Sequence, residues 1–190
     1  IIYDIDGDNR SLTAPWDIGA DQVSDLAAGI SARVTGSAVD RDDLTEGLVG
    51  HWTFNEGLGN TVYDKSGNGN DGTWSGTGER WTPWGRFGNG GVFNGTDDYV
   101  NVTHNSGLSS EEVITISAWV NPSDMAGGWR AFVSKQNNYY LGYTGNRFYI
   151  TFRIGSTWYN HGTTQSYQDD RWYHLVGIID NINNRMKLYV

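Results

Sequence analysis

GLVGHWTFNEGLGNTVYDKSGNGNDG, residues 47–72, sets a short apolar run against two loops rich in Gly and Asn. Residues 48–54, LVGHWTF, alternate well enough to form a strand. Asn55-Glu56-Gly57-Leu58-Gly59-Asn60 then turns the chain, 61–63 reads as a second short strand, and 64–72 turns it again. Glycine reaches positive φ without steric cost, and Asn and Asp bond back to the nearby backbone. So many of them together predict an ordered, elaborately folded loop.

Downstream, apolar residues recur with period two. Ile114, Ile116, Ala118 and Val120 share one face, opposed by Thr115, Ser117 and Trp119. Phe148, Ile150, Phe152 and Ile154 are opposed by Arg147, Tyr149, Thr151 and Arg153. Over 172–180 both faces are largely apolar, and Met186, Leu188 and Val190 oppose Arg185, Lys187 and Tyr189. Weaker strands are predicted near 71–74, 91–94, 98–103, 130–136 and 139–143, with hairpin turns at Gly145-Asn146 and Asn183-Asn184. No amphipathic helix of convincing length appears. Many short strands between Gly-rich turns predict an all-β sandwich or jelly roll.

The composition agrees. In 190 residues, 26 are Gly and 14% are aromatic, which suits a turn-rich β domain and not a disordered chain. A formal net charge of -9 argues against nucleic acid or an anionic membrane surface as partner. The chain has no Cys, so disulfides and thiolate metal sites are excluded. No apolar run approaches the roughly 20 residues needed to cross a bilayer. The chain does not begin with Met, and it reads as a piece of something longer.

Seven blocks, in order, resemble the laminin-G-like, concanavalin A-like lectin/glucanase superfamily. They are 48–57 (LVGHWTFNEG), 64–72 (DKSGNGNDG), 85–95 (GRFGNGGVFNG), 98–100 (DYV), 115–120 (TISAWV), 133–135 (VSK) and 172–176 (WYHLV). The resemblance covers 47–190 and implies a two-sheet antiparallel jelly-roll sandwich. Such domains usually continue past a strand like 186–190, so the sandwich is expected to be incomplete at its C-terminus, or its open edge to be completed by another chain. Asp4-Ile5-Asp6-Gly7 with Arg10, then Asp17-Ile18-Gly19-Ala20, resembles the end of a right-handed parallel β-helix. The expected organisation is a β-helix end over 1–23, a linker over 24–46 and the laminin-G-like domain over 47–190.

Two sites are candidates. The loop 64–72 offers Asp64, Asn68, Asn70 and Asp71 together with main-chain carbonyls, an oxygen-only set that suits Ca2+. The resemblance implies a structural Ca2+ at this loop, completed by a carboxylate further along. The alternative is that these side chains cap turns without a metal. A glycan site needs aromatic faces for sugar C–H groups and fixed polar partners for hydroxyls. Trp129, Tyr139, Tyr140, Tyr149, Arg153, Trp158, Tyr159 and His161 supply both residue types. The competing reading is that these aromatics pack the sheets. Trp74, Trp81 and Trp84 read as packing groups.

Catalysis is not expected. Hydrolases on this fold need paired carboxylates at alternating strand positions. The adjacent pairs Asp97-Asp98, Glu111-Glu112 and Asp169-Asp170 would diverge, and His51, His104, His161 and His174 have no metal-ligand spacing. The expectation is a non-enzymatic, secreted or cell-surface module of a larger β-helix protein. It would bind a polysaccharide or other glycan, or act as a surface adhesion and spacer unit, without membrane insertion or nucleic acid. The alternatives are a self-assembling surface unit and an accessory domain of a polysaccharide lyase or glycoside hydrolase.

Overall fold

The computed structural model describes residues 47–109 and 112–190, together with the backbone of Ile2–Tyr3 and Asn9–Arg10. The chain divides into two units, 1–43 and 44–190. In the first, β1 (Ile2–Tyr3) pairs antiparallel with β2 (Asn9–Arg10). The remainder of the β-helix coil expected over 1–23, and the linker over 24–46, lie outside the described residues.

The second unit is all-β. A three-stranded sheet in the order β14 (Arg185–Tyr189), β13 (Tyr173–Asp180), β8 (Val113–Val120) carries three of the four strongly alternating segments. A four-stranded antiparallel sheet has the order β12 (Thr157–Gly162), β11 (Arg147–Ile154), β10 (Tyr139–Thr144), β9 (Arg130–Lys135). Their inward positions form one core, including Ile114, Ile116, Leu141, Phe148, Ile150, Leu175 and Ile179. Burying each such side chain contributes about 1.5–3 kcal/mol. The sheets approach closely at Gly177, where an added Cβ would stand 2.8 Å from Ile150 Cδ1. This is the sandwich expected from the alternation.

Two smaller sheets complete the unit. β3 (Thr61–Val62), β4 (Gly72–Ser75) and β7 (Tyr99–Val102) form one, and β5 (Trp81–Thr82) with β6 (Gly90–Gly91) the other. Phe54, Trp74, Trp81 and Phe93 pack ring against ring, with centroids 4.6–6.4 Å apart. Trp74 and Trp81 are therefore packing groups, as expected. Trp84 is not, being 81% exposed.

Turn chemistry follows the sequence closely in places. Thr144 and Arg147 flank Gly145-Asn146, with φ of 54° and 65°, a two-residue turn with both central residues left-handed. Asn183-Asn184 belongs to a longer connection, closed where the Asp180 carboxylate accepts from the Asn183 amide and side chain. Two expectations fail. Residues 48–54 form no ladder, only an isolated bridge between Trp52 and Asp64, and Phe54 takes φ 56°, which ends extension. The strand expected over 91–94 is confined to Gly90–Gly91. Among the described residues, no helix is long and apolar enough to cross a membrane.

Candidate functional site

The outward face of the four-stranded sheet is set by register. Tyr140 on β10, Thr151 on β11 and Asn160 on β12 stand in one row across the strands. Gly142, Tyr149 and Gly162 form the next row, and Arg153 pairs with Trp158 on the far side. Along β11, Arg147, Tyr149, Thr151 and Arg153 alternate outward while Phe148, Ile150 and Phe152 enter the core.

Side chains in these rows build a trough. Tyr140 and Trp158 reach across β11 until their rings lie 5.1 Å apart. They cover Thr151, which is 6% exposed despite its outward position. Trp129, in the loop before β9, packs on Tyr149 at 5.0 Å. The Arg153 guanidinium lies 5.8 Å over the Trp158 ring. One hollow of about 310 Å3 is lined by Trp129, Arg130, Ala131, Tyr140, Gly142, Tyr149 and Thr151. A second, of about 240 Å3, shares Trp129, Tyr140 and Thr151 and adds Trp158 and Asn160.

Backbone irregularity and two glycines shape this floor. The β9–β10 register shifts between Leu141 and Gly142, leaving Phe132 as the extra residue. Phe132 and Val133 then both pack against the core, while Ala131 stays in the trough. A Cβ at Gly142 would collide with the Arg130 carbonyl, and one at Gly162 with the Tyr149 ring. Both glycines are required by close approach.

Of the sequence-predicted residues, the structure brings together Trp129, Tyr140, Tyr149, Arg153 and Trp158. Tyr139 is not with them. It points into the core, 6% exposed, and its hydroxyl donates to the Leu108 carbonyl at 3.0 Å. Burial raises its pKa above the ordinary phenol value. Tyr159 and His161 occupy inward-directed positions of β12, opposite to Trp158 and Asn160, and remain exposed at the sheet edge. Asn160, Gly142 and Ala131 were not anticipated. Segment 157–162, TWYNHG, has no apolar alternation because β12 ends the sheet and is exposed along most of its length.

The 64–72 loop is ordered, but by hydrogen bonds. The Asp64 carboxylate accepts from the His51 and Ser66 amides on one oxygen, both at 2.9 Å. Its other oxygen accepts from Ser66 Oγ at 2.8 Å and the Asn70 amide at 3.0 Å. Partial burial alone would raise the Asp64 pKa, but the His51, Ser66 and Asn70 donors more than offset it and hold it at about 2. Asp71 Oδ1 accepts from the Asp64 amide. Asn68 and Asn70 turn their amino groups to the Leu48 and Val49 carbonyls, and the Asn70 side-chain oxygen accepts from Asn105. In this geometry both Asp64 oxygens, Asp71 Oδ1 and the Asn70 side-chain oxygen already face protein donors, so they hold the loop rather than standing open to the 6–8 oxygen shell of Ca2+.

Carboxylates elsewhere are similarly engaged. Asp98 accepts from the Gly78 and Asn94 amides, and Asp97 from Asn94 Nδ2 and Thr77 Oγ1. On the opposite sheet Ser117 Oγ lies 2.9 Å from His174 Nε2, a cross-strand pair that spacing in the sequence did not bring together. The His174 ring stacks on Trp119 at 4.9 Å, and Arg86 lies 4.8 Å over the same Trp ring. No carboxylate is hydrogen-bonded to His174 among the described residues, so the pair lacks the third, orienting group of a hydrolytic triad.

Known proteins give two points of comparison. A solved structure of botulinum neurotoxin type C, described as dependent on interaction with two ganglioside molecules to enter cells, matches with TM-score 0.56 at 18% identity. The match covers 78% of this chain and 37% of that one, and at this identity it shows a shared fold alone. No curated protein matches the chain in sequence. A family model for the concanavalin A-like lectin/glucanases superfamily matches residues 94–190, which include every lining residue of the trough. With the model spanning half of the sequence and the sandwich to go with it, the chain belongs to the concanavalin A-like lectin/glucanases superfamily.

Proposed function

We propose that the chain is a non-catalytic carbohydrate-binding module of a secreted or cell-surface protein. The observation that carries this reading is the trough on the outer face of β9–β12. Four aromatic rings rise around a floor of Gly142, Ala131 and Thr151, with Asn160 and two arginines at hand. Ring faces take the C–H side of a sugar, while Asn and Arg supply directional donors and acceptors for hydroxyls. The volumes lie at or below the lower end of small-molecule sites, about 300–1,000 Å3. The two hollows therefore read as adjoining subsites for successive sugar rings. The ganglioside interaction described for the neurotoxin makes a glycan a reasonable kind of partner. Calcium is not needed at this face, which lies on strands other than the 64–72 loop.

The test is retention on a panel of soluble and insoluble polysaccharides. Tyr149→Ala and Trp158→Ala are each expected to weaken binding about tenfold, equivalent to about 1.4 kcal/mol. Their circular dichroism should stay native. A folded Tyr149→Ala, Trp158→Ala double variant that binds like the parent chain would sink the reading. A second reading, self-association through a strand edge, is favoured by β14, which ends its sheet with Tyr189 exposed. Light scattering distinguishes it: a concentration-dependent oligomer removed by Lys187→Pro would support it, and a monomer at all concentrations would not.

A further inference from the structure

We propose that the trough is selective for acidic polysaccharides, whose ring carboxylates are received by Arg153 and Arg130. This rests on the carbohydrate-binding reading and narrows it to a ligand class.

Charge is distributed unevenly on this chain. Its formal net charge is -9, with Asp and Glu well in excess of Lys and Arg. Yet the residues lining the two hollows include one cation, Arg130, and no carboxylate. The outward positions of β11 add two more cations, with Arg147 and Arg153 bracketing Tyr149 and Thr151. Six residues at about 3.3 Å each put these brackets roughly 20 Å apart, enough to span several linked sugars. A protein selected only for an acidic, soluble surface has no reason to place its arginines here.

Among the described residues, Arg130, Arg147 and Arg153 form no ion pair. Arg153 Nε is buried without a hydrogen-bond partner, and the guanidinium is held against the Trp158 ring. A buried donor without an acceptor is costly, and an arginine held in place has already lost much of its side-chain freedom. Such a group is arranged for an anion it does not find within the protein. Arg rather than Lys suits the task, because a planar guanidinium can grip a carboxylate with two parallel hydrogen bonds while its face rests on an aromatic ring. A sugar ring resting on the joined Tyr140 and Trp158 rings would bring a ring substituent toward Arg153, which lies over the same Trp158 ring. One stacked near Trp129 and Tyr149 would bring its substituent toward Arg130.

The remainder of the chain opposes an anionic ligand at long range. At physiological salt the Debye length is about 8 Å, so distant carboxylates are screened while contacts to Arg130 and Arg153 persist. Selectivity should therefore survive at 0.15 M salt rather than vanish, as it would for a diffuse basic surface.

The experiment uses calorimetry or affinity electrophoresis on the whole chain, with polygalacturonate and its methyl-esterified form as probes. The two share a backbone and differ in ring charge, and a neutral glucan serves as a third arm. Polygalacturonate is expected to bind about tenfold tighter than the ester, as for one charge-assisted pair. Arg153→Gln should reduce that ratio severalfold, weakening polygalacturonate binding more than ester binding. Arg130→Gln should do the same in part, and Arg153→Lys, which keeps the charge but loses the two-bond grip and the ring stacking, should retain only part of the preference. Equal affinity for the two polymers overturns the inference and leaves carbohydrate binding standing. So does binding of the glucan alone through Tyr149, or a preference that survives both Gln substitutions. Failure of all three polymers to bind, with Tyr149→Ala also silent, would overturn the carbohydrate reading itself. If Arg153→Gln does not fold, Arg130→Gln carries the test, since Arg130 is exposed.

Discussion

Replacing Asp64 by Asn tests the account of the 64–72 loop most directly. The carboxylate accepts four hydrogen bonds, two on each oxygen. An Asn in either orientation keeps one oxygen and turns an amino group toward two donors. Two charge-assisted bonds are lost, each about 1.5–3 kcal/mol in a favourable setting. The proton linkage gives an independent bound. A pKa lowered from 3.8 to about 2 corresponds to roughly 2.5 kcal/mol at 1.36 kcal/mol per unit. Asp64 is only partly buried, so solvent screening reduces both figures, and about 1–2 kcal/mol is the expected cost. The sign follows from the depressed folded pKa. The stabilisation is fully present above the unfolded pKa near 4 and is lost as pH falls toward 2. Urea unfolding of both proteins at pH 7, 4 and 2.5 is the assay. The difference in unfolding free energy should be about 1–2 kcal/mol at pH 7 and should shrink steadily below pH 4. A gap that is absent at pH 7, or equally large at pH 2.5, would refute the role assigned to the carboxylate.

Further outcomes follow from the same geometry. Millimolar CaCl2 or EDTA should move the melting temperature by less than about 1 °C, since a ligand at 100 times its Kd would add about 2.7 kcal/mol; a clear calcium-dependent rise would restore the metal reading of Asp64, Asn68, Asn70 and Asp71. Gly162→Val should displace the Tyr149 ring and abolish glycan retention while costing about 1–3 kcal/mol as overpacking, so a variant with full binding would show that Tyr149 is not held as described. Phe148→Ala removes a fully buried ring from the centre of the sandwich and should cost about 3–5 kcal/mol, read as a lowered urea midpoint. Asn146→Val places a β-branched residue at φ 65° and should cost about 1–3 kcal/mol; a neutral result would mean that the hairpin turn readily adopts another geometry.

Legibility in the sequence tracked burial. β8, β11 and β14 alternate because each presents one face to a continuous core, β13 is apolar on both faces at the middle of its sheet, and all four were anticipated. β12 presents little to the core, so its residues carry no such signal. The strand expected over 48–54 failed for a different reason. Its pattern is apolar because Trp52 and Phe54 pack, yet the segment is tied down by side chains: Trp52 Nε1 donates to the Asn70 carbonyl and Asn70 Nδ2 to Val49. The alternation gave the outward position of Tyr149 and Arg153, but not the bulge at Leu141/Gly142 that shapes the floor beside them. Residue type alone made both Tyr139 and Tyr140 candidates, although neighbours on a strand face opposite ways and only Tyr140 reaches the trough. Thr151 could be placed outward from the sequence, but its burial depends on two rings meeting across a strand, which is a tertiary event.

The trough lies over an interior strand. β11 is paired on both sides, with β10 and with β12, so its backbone amides and carbonyls are already engaged in ladders. A ligand resting there meets ring faces, side-chain ends and the backbone of Gly142, whose strand is likewise paired on both sides, so strand addition is not open to it. Recognition is thereby decoupled from the scaffold. Exchanging Asn160, Arg153 or Trp158 can retune which sugar is held while every ladder bond beneath stays in place. A lineage could diversify its ligands on this surface with little risk to folding, one side chain at a time.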